Sequence, residues 1–286
     1  MAGLEYGFDQ FKIGDNPYNL GNGAVRSLAA LGGVELSEEP NFEEIQAALF
    51  DNWGTEKTFR SNVDTFTRNL PDGLDARDTV ADVVEESGIM SAISPRNIAG
   101  DKAREFDVAL IGGGTYNWIE RRTQLLHDLL DQGHKVGEVV MLGTFREMKS
   151  ETELSTDFVR DFQNRHGEMP TEVHHLAKKG EDFHGRGLSV GLSTGDKMGF
   201  KALVEQAAPQ LEGKRVLVVQ NAPAGSTFAD VRGVVTDENL FFATDSVRIA
   251  RTDEEEADAR HYQKYASAPS ALARWVKAVH EINQQQ

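Results

Sequence analysis

The chain of 286 residues is 39% hydrophobic, carries a formal charge of −16 at pH 7 and contains no cysteine. A chain of this length can bury a large core, whereas the lack of cysteine excludes disulfides, thiolate nucleophiles and cysteine-bound metals. The acidic balance argues against binding to nucleic acid or to an anionic membrane surface, because both need basic patches.

The first hundred residues predict a helical N-terminal lobe with no strand. Two helices are predicted there: one that Asn41 can cap and that runs through Leu49, and a second from Asp75 to Glu86, where valines share one face. We therefore expect a lobe over residues 1–100 and an α/β domain with a C-terminal helix over residues 101–286. Residues 1–10 lack the basic start and apolar core of a signal peptide, and no run approaches 18 apolar residues. We expect a cytoplasmic protein with no membrane insertion.

An apolar strand followed by a glycine turn stands out near the middle of the chain. Nearly every side chain from Phe106 to Ile111 is apolar, which is typical of a strand covered on both faces in a parallel sheet. Apolar residues at helical spacing then run from Trp118 to Leu130. Such a turn presents backbone N–H groups and a helix dipole to a bound molecule, so we expect a small anionic ligand there. The turn consists of Gly112, Gly113, Gly114 and Thr115.

Strands and helices alternate along the rest of the chain. Further strands are predicted at residues 139–142, 172–176, 215–220 and 240–243, and helices at 153–165, 197–208 and from 270. This alternation predicts a mostly parallel sheet with helices on both faces. The acidic run at residues 253–256 is expected to begin a solvated helix.

Small and polar residues follow the clearest strands, and we expect them to join the glycine turn in one ligand site at the sheet edge. They are Gly143, Thr144, Arg146 and Glu147 after the second strand, and Gln220 and Asn221 at the end of the later one. Arg146 can clamp a carboxylate or phosphate with its planar guanidinium, or it is an ordinary surface arginine. A complete NAD fingerprint is absent, because Asn117 replaces its third glycine and no acidic residue ends the second strand.

Two later segments resemble the bacterial SanA/ElyC/YdcF-like family, and its YdcF-like members most closely. The first is Ser193-Thr194-Gly195-Asp196 followed by a helix. The second is the strand from Val216 to Asn221 with Ala222-Pro223 and a helix containing Arg232. The correspondence is clearest over residues 193–232 and looser over about residues 106–235. It implies a Rossmann-like α/β fold with a pocket above the strand ends, and binding of S-adenosylmethionine or another nucleotide-like ligand. Ser193 and Thr194 would belong to that pocket.

The chain departs from that family at two positions. Lys197 stands three residues after Thr194, where the family has asparagine. Ala222-Pro223-Ala224 occupies the place of a histidine that often follows the later strand. These departures affect a shared catalytic activity more than the fold, so the resemblance does not decide whether the protein is an enzyme.

A serine hydrolase is the first alternative. Gly187-Leu-Ser189-Val-Gly191 matches the G-x-S-x-G nucleophile elbow. Its partners downstream would be Asp230 or Asp245 and His261 or His280. The elbow needs an apolar strand immediately before it, which residues 181–186 do not provide. A non-catalytic interaction protein with a vestigial pocket is the other alternative.

Histidines and a carboxylate also cluster in a way that suggests metal binding. His174, His175, Asp182 and His184 lie within eleven residues, and such groups can hold zinc. Adjacent histidines on a strand point to opposite faces, so one ion could not easily use both. We expect solvated histidines here and no bound metal.

Overall fold

The computed structural model describes residues 24–31, 34–38, 44, 47, 76–87, 90, 92–97, 101–113, 116–145, 182–196, 200–221, 230–258 and 262–263. The elements predicted at residues 153–165, at 172–176 and from 270 lie outside these ranges. The described helices are α1 (Ala24–Leu31), α2 (Ala76–Ser87), α3 (Tyr116–Asp131), α4 (Phe200–Leu211) and α5 (Asp253–Ala257), with 3₁₀ turns at Phe183–Gly185 and Asp237–Asn239. The described strands are β1 (Ile93–Asn97), β2 (Glu105–Ile111), β3 (Lys135–Phe145), β4 (Ser189–Asp196), β5 (Val216–Asn221), β6 (Leu240–Asp245), β7 (Arg248–Ile249) and β8 (Tyr262–Gln263).

Six strands form one sheet in the order β1-β6-β5-β2-β3-β4. Strands β2 to β6 are parallel to their neighbours, and β1 pairs antiparallel with β6 at one edge. The predicted α/β class with a mostly parallel sheet is therefore confirmed. The expectation of no strand in the first hundred residues is wrong, because β1 lies there. Strand β4 was not predicted either, since its serines, threonine and glycines do not form an apolar run.

Helices α3 and α4 cover opposite faces of this sheet. Ile119, Leu126 and Leu129 of α3 pack in one core cluster with Met141 of β3. The Ser193 hydroxyl donates instead to the Leu203 carbonyl of α4, at 3.1 Å. Ser193 is aligned with Leu142, the residue after Met141, and consecutive strand residues point to opposite faces. This double cover explains why β2 and β5 are apolar along nearly their whole length.

The strand order reverses direction at the centre of the sheet. From β2 the chain steps outward through β3 to β4, and it then returns to the other side of β2 for β5 and β6. The reversal therefore lies between β2 and β5. In open α/β sheets, the crevice outside the carboxyl ends of the two strands at such a point is where ligands bind.

Contacts divide the chain into two compact units. The sheet unit comprises Ile93–Asn221 and Asp230–Asp245, and the other comprises Met1–Ala92, Ala222–Ala229 and Ser246–Gln286. This division differs from the boundary predicted at residue 100 mainly because the last part of the chain groups with the N-terminal residues.

The second unit contains α1, α2, β7, α5 and β8. Helix α2 matches the helix predicted from Asp75, and α5 begins at the acidic run, as predicted. A capping box starts α5: the Thr252 hydroxyl accepts from the Glu255 backbone N–H, and the Glu255 carboxylate accepts from the Thr252 backbone N–H. In the part of the chain that the structure describes, no helix is both long and apolar enough to cross a bilayer.

Candidate functional site

The ladder register aligns residues from four strands at the carboxyl edge of the sheet. Ile111 of β2 pairs with both Met141 and Val219. The next row therefore contains Leu142, Ser193, Gln220 and Thr244, and the one after it contains Gly143, Thr194, Asn221 and Asp245. Gly112 and Gly113 follow β2 at the level of these rows, because a Cβ on Gly112 would meet Gln220 and one on Gly113 would meet Leu142. The fold thus brings the glycine turn next to predicted site residues from three other segments.

Arg122 holds the glycine turn from the second turn of α3. Its Nη1 donates to the carbonyl oxygens of Gly112 and Gly113, the latter at 2.9 Å, and its Nε donates to Asn221 Oδ1 at 2.7 Å. One guanidinium therefore joins the end of β2 to the end of β5 across the reversal point. Burial lowers the pKa of Arg122 to about 10, with Arg121 adding to the effect and Asp245 opposing it.

Arg121 and Asp245 form a second link at the same edge. Arg121 Nε donates to Asp245 Oδ2 at 2.8 Å, and its terminal nitrogen lies 2.6 Å from the same oxygen. Asn221 Nδ2 also donates to Asp245 Oδ2, at 3.3 Å. Burial raises the pKa of Asp245 above its usual value, although Arg121, Asn221 and Arg122 act in the opposite direction. Two guanidinium groups thus face one carboxylate at this edge of a strongly acidic chain.

Close packing explains why the turn uses glycine. Neither Gly112 nor Gly113 has a positive φ, so backbone conformation does not require glycine at either position. A Cβ on Gly113 would instead lie under 3.0 Å from the backbone carbonyl oxygen of Leu142, which is closer than real Cβ atoms come. A Cβ on Gly112 would meet the side-chain amide of Gln220 at 2.5 Å. Part of the glycine signal in the sequence therefore reflects packing between strands.

The other predicted site residues have different surroundings. Ser193 is buried, and its hydroxyl is used by α4, through Leu203 O and Gln206 Oε1 at 3.2 Å. Gln220 and Asn221 are also buried, at the strand end. Thr144 lies in β3 and Thr194 in β4, both near the carboxyl ends of these strands. The predictions for Gly114, Thr115, Arg146 and Glu147 fall outside the described residues.

Ser189 does not lie in a nucleophile elbow. It is exposed and is the first residue of β4, aligned with Glu138 near the start of β3. An elbow serine follows a strand and precedes a helix, at the carboxyl edge of the sheet. Ser189 therefore lies at the opposite edge from Asp245, one of its proposed partners.

The described members of the histidine cluster make other contacts. Asp182 Oδ1 accepts from the Leu188 backbone N–H at 3.1 Å, and His184 Nδ1 lies 2.8 Å from His127 Nε2. Among the residues that the structure describes, no group of three or more histidine, aspartate or glutamate side chains is arranged to hold a metal ion. His174 and His175 lie outside that part of the chain.

Sequence reasoning missed the two arginines that organise this edge. Arg121 and Arg122 lie in a helix selected for its apolar spacing, and charged helix residues usually face solvent. The sequence did contain one indication of their role. Arg121 and Arg122 lie nine residues after Gly112 and Gly113, and side chains so near the start of a helix can reach back to the glycine turn that precedes it.

Comparisons of this chain with protein-family models, with curated proteins and with solved structures found no match.

Proposed function

We propose that this protein binds a small nucleotide-like ligand with an anionic group, a carboxylate or a phosphate, in a Rossmann-like crevice at the carboxyl ends of β2 and β5. The first candidate is S-adenosylmethionine, whose anionic group is its carboxylate. The observation that chiefly supports this proposal is the glycine turn, which Arg122 holds at the point where the strand order reverses. When the five parallel strands are renumbered along the chain, from β2 as strand 1 to β6 as strand 5, their order in the sheet is 3-2-1-4-5. Dinucleotide-binding folds share this order.

The orientation of the turn supports an anionic ligand. In a trans peptide, the N–H of each residue points opposite to the carbonyl of the residue before it. The Gly112 carbonyl faces Arg122, so the Gly113 N–H faces away from that guanidinium. We expect this N–H to point into the crevice, where backbone N–H groups attract anions. Arg122 is then a positioning residue, and its charge adds to the field that attracts the ligand.

The first test is a thermal-shift screen of the full chain with S-adenosylmethionine, S-adenosylhomocysteine, nucleotides and nucleotide sugars. A ligand that binds only the folded state stabilises it by about 2.7 kcal/mol at a concentration of 100 Kd. We expect at least one of these compounds to raise the melting temperature in a dose-dependent way. If none does so at millimolar concentration, the proposal is wrong.

The second test asks whether that compound binds at this edge. Arg146 directly follows the carboxyl end of β3, and we expect it to contact a carboxylate or phosphate. Arg146→Ala should weaken affinity by roughly ten- to a hundredfold, equivalent to about 1.5–3 kcal/mol, in calorimetric titration. Arg146→Lys should recover part of the loss, since it keeps the charge without the planar fork.

A matched control is available on the same strand. Lys135 begins β3 at the amino edge, where it is exposed and pairs with Glu105 at 2.7 Å. Lys135→Ala changes the net charge of the protein as Arg146→Ala does, but it should leave affinity unchanged. Equal losses in the two variants would show that only overall charge matters, and they would remove the ligand from the carboxyl edge.

A further inference from the structure

Residues 182–188, which precede β4, form a closed loop that we call the 182–188 loop. The Phe183 backbone N–H donates to Leu188 O at 2.7 Å, and the Arg186 N–H donates to Phe183 O at 3.0 Å. Asp182 Oδ1 accepts from the backbone N–H groups of Gly187 and Leu188. These bonds give the loop a defined shape.

Three contacts fasten this loop to the second half of α3. The fully buried ring of Phe183 stacks on His127, with ring centroids 4.9 Å apart. His127 Nε2 and His184 Nδ1 are 2.8 Å apart, which is a hydrogen-bond distance. Arg186 forms an ion pair with Asp131 at 2.6 Å. His184 has a φ of 48°, an uncommon value for a residue with a side chain, and such strain persists only where surrounding contacts maintain it.

The surroundings of His127 indicate how protons are distributed in the pair. His127 Nδ1 is buried and has no hydrogen-bond partner among the described residues. A proton there would bury an N–H group without an acceptor, so the neutral ring carries its proton on Nε2 and donates it to His184 Nδ1. A second proton on His127 would go to Nδ1, where no acceptor is present among the described residues. A proton on His184 Nδ1 would remove the acceptor of its hydrogen bond with His127.

We propose that the hydrogen bond between His127 and His184 is a pH-sensitive latch, which holds the 182–188 loop on α3 at neutral pH and releases it in mildly acidic solution. The charged groups that face His127 are Asp128 and Asp131 on its own helix and Arg186 on the loop. Burial, aided by Arg186, lowers the pKa of His127 despite the two aspartates. At pH 7.5 the pair is therefore intact. As the pH falls toward 5.5, the added proton is accommodated better in the open loop, where both rings are hydrated.

The latch is independent of the proposed ligand site. His127 lies five residues after Arg122 along α3, about 7.5 Å farther from the carboxyl edge at 1.5 Å per residue. The strand that follows the loop begins at the amino edge. Failure to find a ligand would leave the latch untouched, and loss of the latch would leave the ligand proposal untouched.

Hydrogen exchange of the full chain at pH 7.5 and pH 5.5, corrected for the pH dependence of chemical exchange, tests the latch. The reporters are the hydrogen-bonded amides of Phe183, Arg186 and Leu188, and the internal reference is α4. We expect loop protection to fall about tenfold at pH 5.5, since uptake of one proton changes an opening equilibrium by at most tenfold per pH unit. Protection in α4 should not change. Equal loop protection at both pH values would overturn the proposal.

Two neutral replacements preserve the geometry of the pair. His127→Gln keeps an N–H near the position of Nε2, and His184→Asn keeps an acceptor near Nδ1 in a residue that tolerates positive φ. Each variant removes one of the two titrating rings and should reduce the tenfold pH response, and the double variant should abolish it. His134→Gln, which removes another half-buried histidine outside the loop, should retain the full response. A response of full size in the double variant contradicts the proposal.

A measurement on the unmodified protein covers the case in which a variant does not fold. Imidazole ¹⁵N shifts followed between pH 7.5 and pH 5 should show His127 and His184 titrating as a coupled pair, with loss of the shared hydrogen bond. Two independent single-site titrations would show that the rings are not linked and would overturn the latch.

Discussion

At the scale of single residues, Gly112 and Gly113 differ in what an added methyl group would meet. At Gly113 the obstacle is the backbone carbonyl oxygen of Leu142, which can move only if β3 moves. At Gly112 it is chiefly the end of the Gln220 side chain, which can rotate, with the ring of Phe200 at 3.0 Å. Similar positions in the sequence therefore carry different structural constraints.

Gly113→Ala should accordingly destabilise the fold more than Gly112→Ala. We expect a loss of about 1–3 kcal/mol for Gly113→Ala, as for other overpacked sites, and less than about 1 kcal/mol for Gly112→Ala. Urea unfolding of both variants gives the comparison. Gly133→Ala is an informative reference, because its cost comes from a φ of +88° with open space around the Cβ. Equal costs at Gly112 and Gly113 would contradict the steric explanation.

At the scale of elements, a single arginine holds the acidic face of α2. Asp78, Asp82 and Glu85 lie about one turn apart on this helix, and all three contact Arg251, at 3.3, 2.7 and 3.0 Å. Hydrogen bonding to Asp82, followed by Glu85, raises the pKa of Arg251. Without that guanidinium, like charges at helical spacing would repel one another.

Arg251→Gln should destabilise the unit that contains α2 by about 1 kcal/mol at low salt, because exposed ion pairs are individually weak but this one has three partners. The difference should shrink in 1 M salt, since the Debye length there is about 3 Å. Denaturant unfolding at the two salt concentrations measures both effects. Arg248→Gln removes an exposed arginine of β7 and should cost less than about 0.5 kcal/mol. A salt-independent loss would show that Arg251 acts through packing.

At the scale of the whole molecule, two half-buried histidines link stability to pH. Burial lowers the pKa of His127, with help from Arg186. Burial also lowers the pKa of His134, with help from Arg104 and against a hydrogen bond that the ring donates to the Ala103 backbone carbonyl. Between the lowered pKa values and the ordinary histidine pKa of 6.5, the unfolded chain binds more protons than the folded one, so stability rises with pH.

The free energy of unfolding should therefore be constant above about pH 7 and fall as the pH decreases below about 6.5. Urea titrations in steps of half a pH unit from pH 8 to pH 5 measure this slope. The double variant His127→Gln/His134→Gln should show a smaller slope over this range, whatever its absolute stability. A wild-type slope of zero, or a stability that increases on acidification, would contradict the assignment.

The predictable part of the fold is the part encoded in contiguous residues. Strands β2 and β5 and helices α2 and α3 appear as apolar runs or as helical spacing, because each buries its side chains in a regular pattern. Strands β1 and β4 escaped prediction because both are edge strands of the described sheet, each with a strand partner on one side within that sheet, and Pro95, Gly191 and Ser193 are tolerated there.

The candidate site was predictable to the same extent. The loops at the carboxyl edge could be inferred from alternation alone, and the register places Gly143 and Asn221 in one row. The partners of their side chains could not be inferred. Ser193 was expected to face a ligand but donates to Leu203 O, and Arg122 was not considered but joins Gly113 to Asn221.

Composition and local patterning were enough to specify an acidic, cysteine-free α/β chain in which a buried parallel strand ends in a glycine turn. The tertiary fold decided the strand order, the reversal point and the network of Arg121, Arg122, Asn221 and Asp245. These residues are separated by up to 124 positions along the chain. Period and composition report on neighbours within a few residues, whereas hydrogen bonds between distant side chains depend on which strands become adjacent, and burial of the whole sheet decides that.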